Sequence, residues 1–205
     1  MEKNSFDKVK NYSFNLGLYH RDIRLGEIAS WAIWNSSDLD DTSIIEASVE
    51  KLKPNIVFVA LNFGGEHLDI IDKPNWTDWK NFHSNSVMDK HLFKVLSGSK
   101  YEGAYLTDLF KCLPTNSAPD LSKKIRAKEI DIESQVHLFF DEISLLDSGD
   151  LEIYLMGGDT ERFYNEYFKE YLSQHYQGKI VATRIYHPSP ANPHRGKMRE
   201  QLGLE

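Results

Sequence analysis

Four short runs along the 205-residue chain are apolar almost without interruption and rich in β-branched or aromatic residues: IVFVAL at 56–61, GAYLTDLF at 103–110, LEIYLMG at 151–157 and KIVATRIYH at 179–187. Runs of this length predict buried strands. Between them the periodicity changes. HSNSVMDKHLFKVLSG, AKEIDIESQVHLFFDEISLLDSG and DTERFYNEYFKEYLSQHYQG carry apolar residues at helical intervals, and each stops at a glycine, a common helix terminator. Strands alternating with helices predict a parallel sheet with right-handed crossovers and helices on both faces. The expected fold is α/β, a three-layer α/β/α arrangement around a four-stranded parallel central sheet. No repeat or Gly/Ser linker divides the chain, so residues 1–205 are expected to form one domain, with an N-terminal helical segment at about 17–52.

Ligands of open parallel sheets bind beyond the carboxyl ends of the strands. Asn62, Phe63, Gly64 and Gly65 follow the first run, and Thr107 and Asp108 lie near the end of the second. Gly157, Gly158 and Asp159 follow the third, and His187 ends the fourth. His187 opens the loop IYHPSPANPHRG at 185–196, where Pro188 and Pro190 fix φ and push Ser189 away from helical geometry. The loop is therefore held in shape before any ligand arrives. A neutral histidine can donate to a developing oxyanion or accept a proton, whereas asparagine can hold a water but is a poor base. His187 and Asn62 thus suit electrostatic stabilisation with water positioning better than nucleophilic attack.

Composition narrows the options. With 40% hydrophobic and 27% charged residues the chain has the make-up of an ordinary globular protein. No apolar run approaches the ~20 residues that span a bilayer. The N-terminal MEKNSFDKVKNYSFNL mixes charges and does not read as a secretory signal, so a cytoplasmic protein with no membrane partner is expected. Cys112 is the single cysteine, which excludes an internal disulfide and a cluster held by four cysteines of this chain; it is expected to be a small buried hydrophobe. The net charge of -7 argues against generic polyanion binding, with KKIRAK at 123–128 and KMRE after Arg195 as the notable basic clusters. No Gly-x-Ser-x-Gly elbow, dinucleotide fingerprint or Walker loop is present. His67, Asp69, Asp72, His83 and His91 are scattered without metal-ligand spacing, so no metal and no cofactor are expected.

Taken together, the strand-end motifs resemble those of the uracil-DNA glycosylase superfamily. IYHPSPANPHRG resembles its His-Pro-Ser-Pro loop, and the continuation into Asn-Pro is closest to the single-strand-selective monofunctional branch. VALNFGG resembles the first motif, which in that branch reads Gly-Met-Asn-Pro-Gly. GAYLTDLFKCLPTNS resembles the Tyr-Ile-Thr-Asn-Val-Val-Lys-Cys segment of the bacterial and archaeal iron–sulfur branch, and the likeness runs over residues 55–200.

The resemblance implies a monofunctional DNA glycosylase, hydrolysing the N-glycosidic bond of uracil or another deaminated or modified base in base excision, with the target nucleotide turned out of the stack. It gives His187 a hydrogen bond to the base O2 and Asn62 the attacking water. Phe82 would stack on the base, with Phe63 a rival, and Asp108 would face its Watson–Crick edge. Gly64, Gly158, Ser189 and Arg195 would meet DNA phosphates. Departures from the family pattern shape the expectation. Ala60 and Phe63 replace the usual Gly and Pro of the first motif. Ala191 stands where the family inserts a wedge side chain, and a methyl group is a weak wedge, so single-stranded or distorted DNA is the expected partner. Asp108 replaces the family's asparagine; ionised, it only accepts hydrogen bonds, which favours a base presenting an amino group, whereas burial would keep it protonated. The alternative on the same fold is a catalytically inactive module that binds nucleobases or nucleic acid.

Overall fold

The computed structural model describes residues 1–17, 19–64, 68–113, 115 and 117–205, with nothing described of the side chains at 64, 68 and 69. Gly65, His67 and the side chain of Asp69 therefore lie outside the described residues. Helix α1 (Lys3–Asn11) leads into a two-stranded antiparallel hairpin, β1 (Ser13–Phe14) with β2 (Ile23–Arg24). A helical turn α2 (Leu25–Ile28), strand β3 (Ser30–Trp31) and a second turn α3 (Ser43–Glu46) precede the central strands.

These central strands are β4 (Lys53–Gly64), β5 (Ala104–Leu113), β6 (Leu151–Met156) and β7 (Ile180–Ile185), which are the four predicted runs, although β7, expected to be buried, is exposed over residues 181–184 because it forms an edge of the sheet. They pair in parallel, Val57 against Tyr105 and Ile153, and Ile153 against Ala182. The sheet, however, has five strands in the order β3-β5-β4-β6-β7, because β3 adds antiparallel to β5, pairing Ser30 with Leu106.

That extra strand corrects the expectation of helix over 17–52, where helix is confined to α2, α3 and the 3₁₀ turn Val49–Lys51. Two physical reasons account for the difference. Residues 28–34 are buried without a polar face, which suits a strand capping a sheet edge and not an amphipathic helix. Farther on, Asn35, Asp38 and Asp41 side chains accept from the main-chain N–H of Ser37, Asp40 and Ser43, local bonds that compete with helical ones.

Alternate residues of the central strands feed two cores. Val57, Val59, Tyr105 and Ile153 pack with Phe6 of α1, with Val136 and Phe139 of α6 (Ile132–Leu145), and with Phe163 and Phe168 of the helix after β6. Phe58, Ala60, Leu106 and Ile185 pack on the other face against Leu92 and Val95 of α4 (Val87–Leu96) and Met198, which opens α9 (Met198–Gln201). This is the three-layer α/β/α arrangement. The helix after β6 runs as α7 (Gly158–Phe163), a π-helical turn Tyr164–Phe168 and α8 (Lys169–His175). Its Phe163, Tyr164 and Phe168 pack on the sheet.

One helix goes beyond the pattern reading. Helix α5 (Ala118–Arg126) is capped by Ser117, which accepts from Asp120 N, and Pro119 stands in its first turn. Ser-x-Pro-Asp is a start signal whose apolar stripe is too short to register as periodicity.

Strand β5 is longer than its apolar run and all ten of its residues are buried. Thr107 and Asp108 consequently sit in mid-strand, not near its end, and Cys112 lies within the strand. The pairing steps from Asn62↔Phe110 to Gly64↔Leu113, so β5 carries one extra residue here, and Cys112 adopts φ 54. Such a bulge removes main-chain groups from the ladder. Gln135 of α6 supplies what is lost: Lys111 N–H donates to Gln135 Oε1 at 2.7 Å, and Gln135 Nε2 donates to Lys111 O at 3.1 Å.

Candidate functional site

A cavity of about 790 Å³ opens beyond the carboxyl ends of β4, β6 and β7. Asn62, Phe63, Phe82 and Asp108 line it, together with Gly158, His187 and Ser189. Seven of the residues expected from sequence are thus brought together from distant parts of the chain. Among the described residues Arg195 does not line it. Gly64 pairs with Leu113 in the sheet. Arg195 belongs to the 3₁₀ turn Arg195–Lys197, which carries it towards α4, where its carbonyl lies 3.1 Å from His91 Nε2.

His187 follows β7 by two residues, and its ring is fixed from both sides. Gly157 adopts φ 97, and a Cβ built there would lie 3.2 Å from His187 Cβ and 3.3 Å from Cδ2. Only glycine combines that backbone with so close an approach. From the proline loop, Ser189 N–H donates to His187 Nδ1 at 3.1 Å, and Asn192 Nδ2 donates to the His187 carbonyl at 2.9 Å. A ring nitrogen that accepts carries no proton, so the imidazole is neutral and its proton sits on Nε2. Burial works in the same direction, holding the His187 pKa below the ordinary imidazole value against the opposing charge of Asp159.

Asn62 stands near the end of β4, where its Nδ2 donates to Thr115 Oγ1 at 3.0 Å. That bond turns the amide so that Oδ1, which has no partner among the described residues, remains as an acceptor. Phe63 packs against Trp76 with ring centroids 6.0 Å apart, and Ile70, Met88 and Met156 complete apolar walls. Phe82 is nearly buried and has φ 65, as does Trp79 three residues earlier. Left-handed backbone at aromatic residues is strained and persists only where surrounding contacts hold it. Here Phe82 O accepts from Trp34 Nε1 at 3.3 Å, and Trp79 N–H donates to Gly26 O.

Between those two strained residues lies Asn81, which sequence reasoning passed over. Its Nδ2 donates to Ile28 O at 2.7 Å and to Asp108 Oδ2 at 2.8 Å. Asp108 is 4% exposed, and burial raises its carboxyl pKa to about 7, against the opposing Lys111 charge and the Asn81 hydrogen bond. Directly beneath, Lys111 Nζ and Glu142 Oε2 form an ion pair at 2.7 Å with both side chains fully buried. Tyr105 and Thr107 hydroxyls donate to Glu142 Oε1, and Lys111 Nζ also donates to Thr107 Oγ1 and the Asp108 carbonyl. No spacing rule links Asn81 to Asp108 or Lys111 to Glu142. The adjacency of Asn81 to Phe82 was the one available hint.

Of the dispersed histidines and acids, those described have other partners. Asp72 accepts from Tyr19 and Arg21, and His83 is buried with its pKa pushed down to about 4 and Nε2 against Trp31 O. Among the described residues no group of three or more His, Cys, Asp or Glu could hold a metal ion. Cys112 is 2% exposed and burial pushes its thiol up to about 12, so it remains a protonated, inert side chain. No helix among the described residues is long and apolar enough to cross a membrane.

A neutral imidazole donor, an oriented amide acceptor, aromatic walls and a buried carboxyl together suit a flat heterocycle with a carbonyl edge. Among families of known proteins, the model described as the uracil DNA glycosylase superfamily matches residues 79–203, more than half of the chain. The match takes in Phe82, Asp108, Gly158, His187, Ser189 and Arg195 and begins after Asn62, Phe63 and Gly64. No curated protein and no solved structure matches the chain.

Proposed function

The chain belongs to the uracil-DNA glycosylase superfamily, and we propose that it hydrolyses the N-glycosidic bond of uracil or another deaminated or modified base in DNA. The observation that carries this reading is the His187 tautomer. As the bond to the sugar breaks, the base becomes anion-like and the sugar cation-like, so a donor aimed at a base carbonyl binds the transition state more tightly than the ground state. The Nε2–H of His187 is such a donor, and the Ser189 N–H on Nδ1 keeps the proton there. No reorganisation is needed when charge develops.

Asn62 Oδ1 accepts a hydrogen bond from the attacking water. The water oxygen bonds to the sugar carbon, the bond to the base breaks, and the water's proton compensates the departing base anion. Phe82 stacks on the base with Phe63 and Trp76 as apolar walls. Asp108, held by Asn81, reads the far edge: neutral, it donates to a carbonyl, and ionised, it accepts from an amino group. Gly158 and Ser189 face the sugar-phosphate. Ala191 is exposed and ends in a methyl group, which suits single-stranded or distorted DNA.

The test uses single- and double-stranded oligonucleotides carrying uracil, hypoxanthine, xanthine or a thymine mismatch, with alkali to cleave abasic sites. Excision of at least one base is expected; no scission at stoichiometric protein would sink the reading, and binding without scission would favour the inactive module. His187→Ala is expected to slow excision by about 10²–10³-fold with oligonucleotide affinity retained, the usual effect of losing one oxyanion donor.

A further inference from the structure

A base drawn into the cavity brings its sugar-phosphate to the cavity mouth, and each flanking phosphate needs cationic or N–H donors. Among the described residues no lysine or arginine lines the cavity; Arg195 meets His91 through its carbonyl, and its Nη1 is buried without a hydrogen-bond partner. A second, smaller hollow of about 200 Å³ adjoins the first and shares Gly157, Gly158, His187 and Asn192 with it. Arg184 and His194 line this hollow. His187 therefore borders both spaces.

Arg184 reaches the hollow from the next-to-last residue of β7. Its position on β7 opposite Leu155 points it away from the Ile185 core, and its Nη1 lies 4.0 Å from where a Gly158 Cβ would stand. The guanidinium thus lies within van der Waals reach of that Cβ position. Its one partner among the described residues is Glu161 Oε2 at 3.5 Å, the outer limit of a hydrogen bond, with side chains 48% and 39% exposed. A pair so long and so exposed holds little energy, and most of the guanidinium fork is uncommitted. His194 stands across the hollow with its ring 5.2 Å from Tyr186. Asp159 also borders the cavity, but Arg162 pairs with it at 3.3 Å.

We propose that Arg184, flanked by His194, is a phosphate subsite that holds the phosphodiester adjoining the nucleotide whose base fills the main cavity. The proposal rests on the glycosylase reading of that cavity. The incoming phosphate displaces Glu161 from Arg184 and takes two guanidinium N–H donors in its place, a bidentate geometry that carboxylate and phosphate share.

The experiment measures binding of a single-stranded oligonucleotide with one tetrahydrofuran abasic-site analogue, and of a series in which single phosphates are replaced by neutral methylphosphonate. The wild-type protein is expected to lose about tenfold in affinity at one linkage beside the analogue. Arg184→Gln is expected to bind the fully charged strand about tenfold more weakly, with a salt slope smaller by about one, and to lose nothing further at that linkage. Glu161→Gln is expected to bind more tightly. Arg184 is half exposed, so its variant should keep the wild-type melting temperature. An Arg184→Gln protein with wild-type affinity and salt slope would overturn the subsite alone. Failure of the wild-type protein to bind any of the strands would instead remove the glycosylase reading and the subsite together. Deoxyuridine 5′-monophosphate competing as well as the strand would assign Arg184 to free nucleotides and overturn the phosphodiester.

Discussion

Asp108→Asn removes a single proton-binding group from the floor of the cavity while keeping its shape, and its consequence can be worked out with sign and size. In the fold the Asp108 carboxyl binds its proton with a pKa raised from 3.8 to about 7. That is about three powers of ten in proton affinity, and at about 1.4 kcal/mol for each the ionised folded protein carries a penalty of about 4 kcal/mol. Below about pH 4 both folded and unfolded chains are protonated here and the penalty vanishes. Between the two values the folded chain binds the extra proton, so stability falls as pH rises, and the full penalty is present above about pH 7. An asparagine can still accept from Asn81 Nδ2 through its oxygen, so the variant keeps that bond and loses only the titration. Its stability relative to wild type should therefore improve by about 2–3 kcal/mol between pH 5 and pH 8. Denaturant unfolding of both proteins at the two pH values measures this directly; an equal difference at both would refute the raised carboxyl. The same titration governs chemistry. Excision of a base with a carbonyl edge by wild type should fall about tenfold per pH unit above 7 as the donor is lost, while Asp108→Asn stays level. Parallel pH profiles for the two proteins would show that Asp108 does not read the base.

Other expected outcomes follow from the same geometry. Gly157→Ala forces a Cβ to within 3.2 Å of His187 at φ 97, so it should lose about 1–3 kcal/mol of stability and slow excision at least tenfold, checked by melting and single-turnover rates. Lys111→Met strands the Glu142 carboxylate and should cost about 3–5 kcal/mol in unfolding free energy, whereas Lys111→Met with Glu142→Leu should recover most of it; equal losses would mean the ion pair is not what matters. Ala191→Leu supplies the missing wedge and should raise the rate on intact duplex relative to single strands, and an unchanged ratio would count against the loop entering DNA.

Much of the architecture is written locally. Short apolar runs and helical intervals of hydrophobic residues place the four parallel strands and their helices, because burial on one or both faces imposes a periodicity that neighbouring residues must obey. The IYHPSPANPHRG loop is legible for the same kind of reason: proline restricts φ wherever the chain goes, so a stiff loop after His187 needs no tertiary information. What depends on distance across the fold is invisible at that level. Strand β3 exists because a wholly buried segment finds the free edge of β5, and the β5 bulge exists because Gln135, 24 residues away, satisfies Lys111. The proton on His187 Nε2 is decided by where the Ser189 N–H points, and the charge on Asp108 by burial against Asn81 and Lys111. Arg184 likewise borders the hollow beside the cavity only because β7 delivers it there, which no local pattern announces. Residue types and their local periodicity are properties of the chain, but protonation, tautomer and electrostatic partnership are set by desolvation and by groups a few ångströms away in space, and only the folded arrangement brings those groups together.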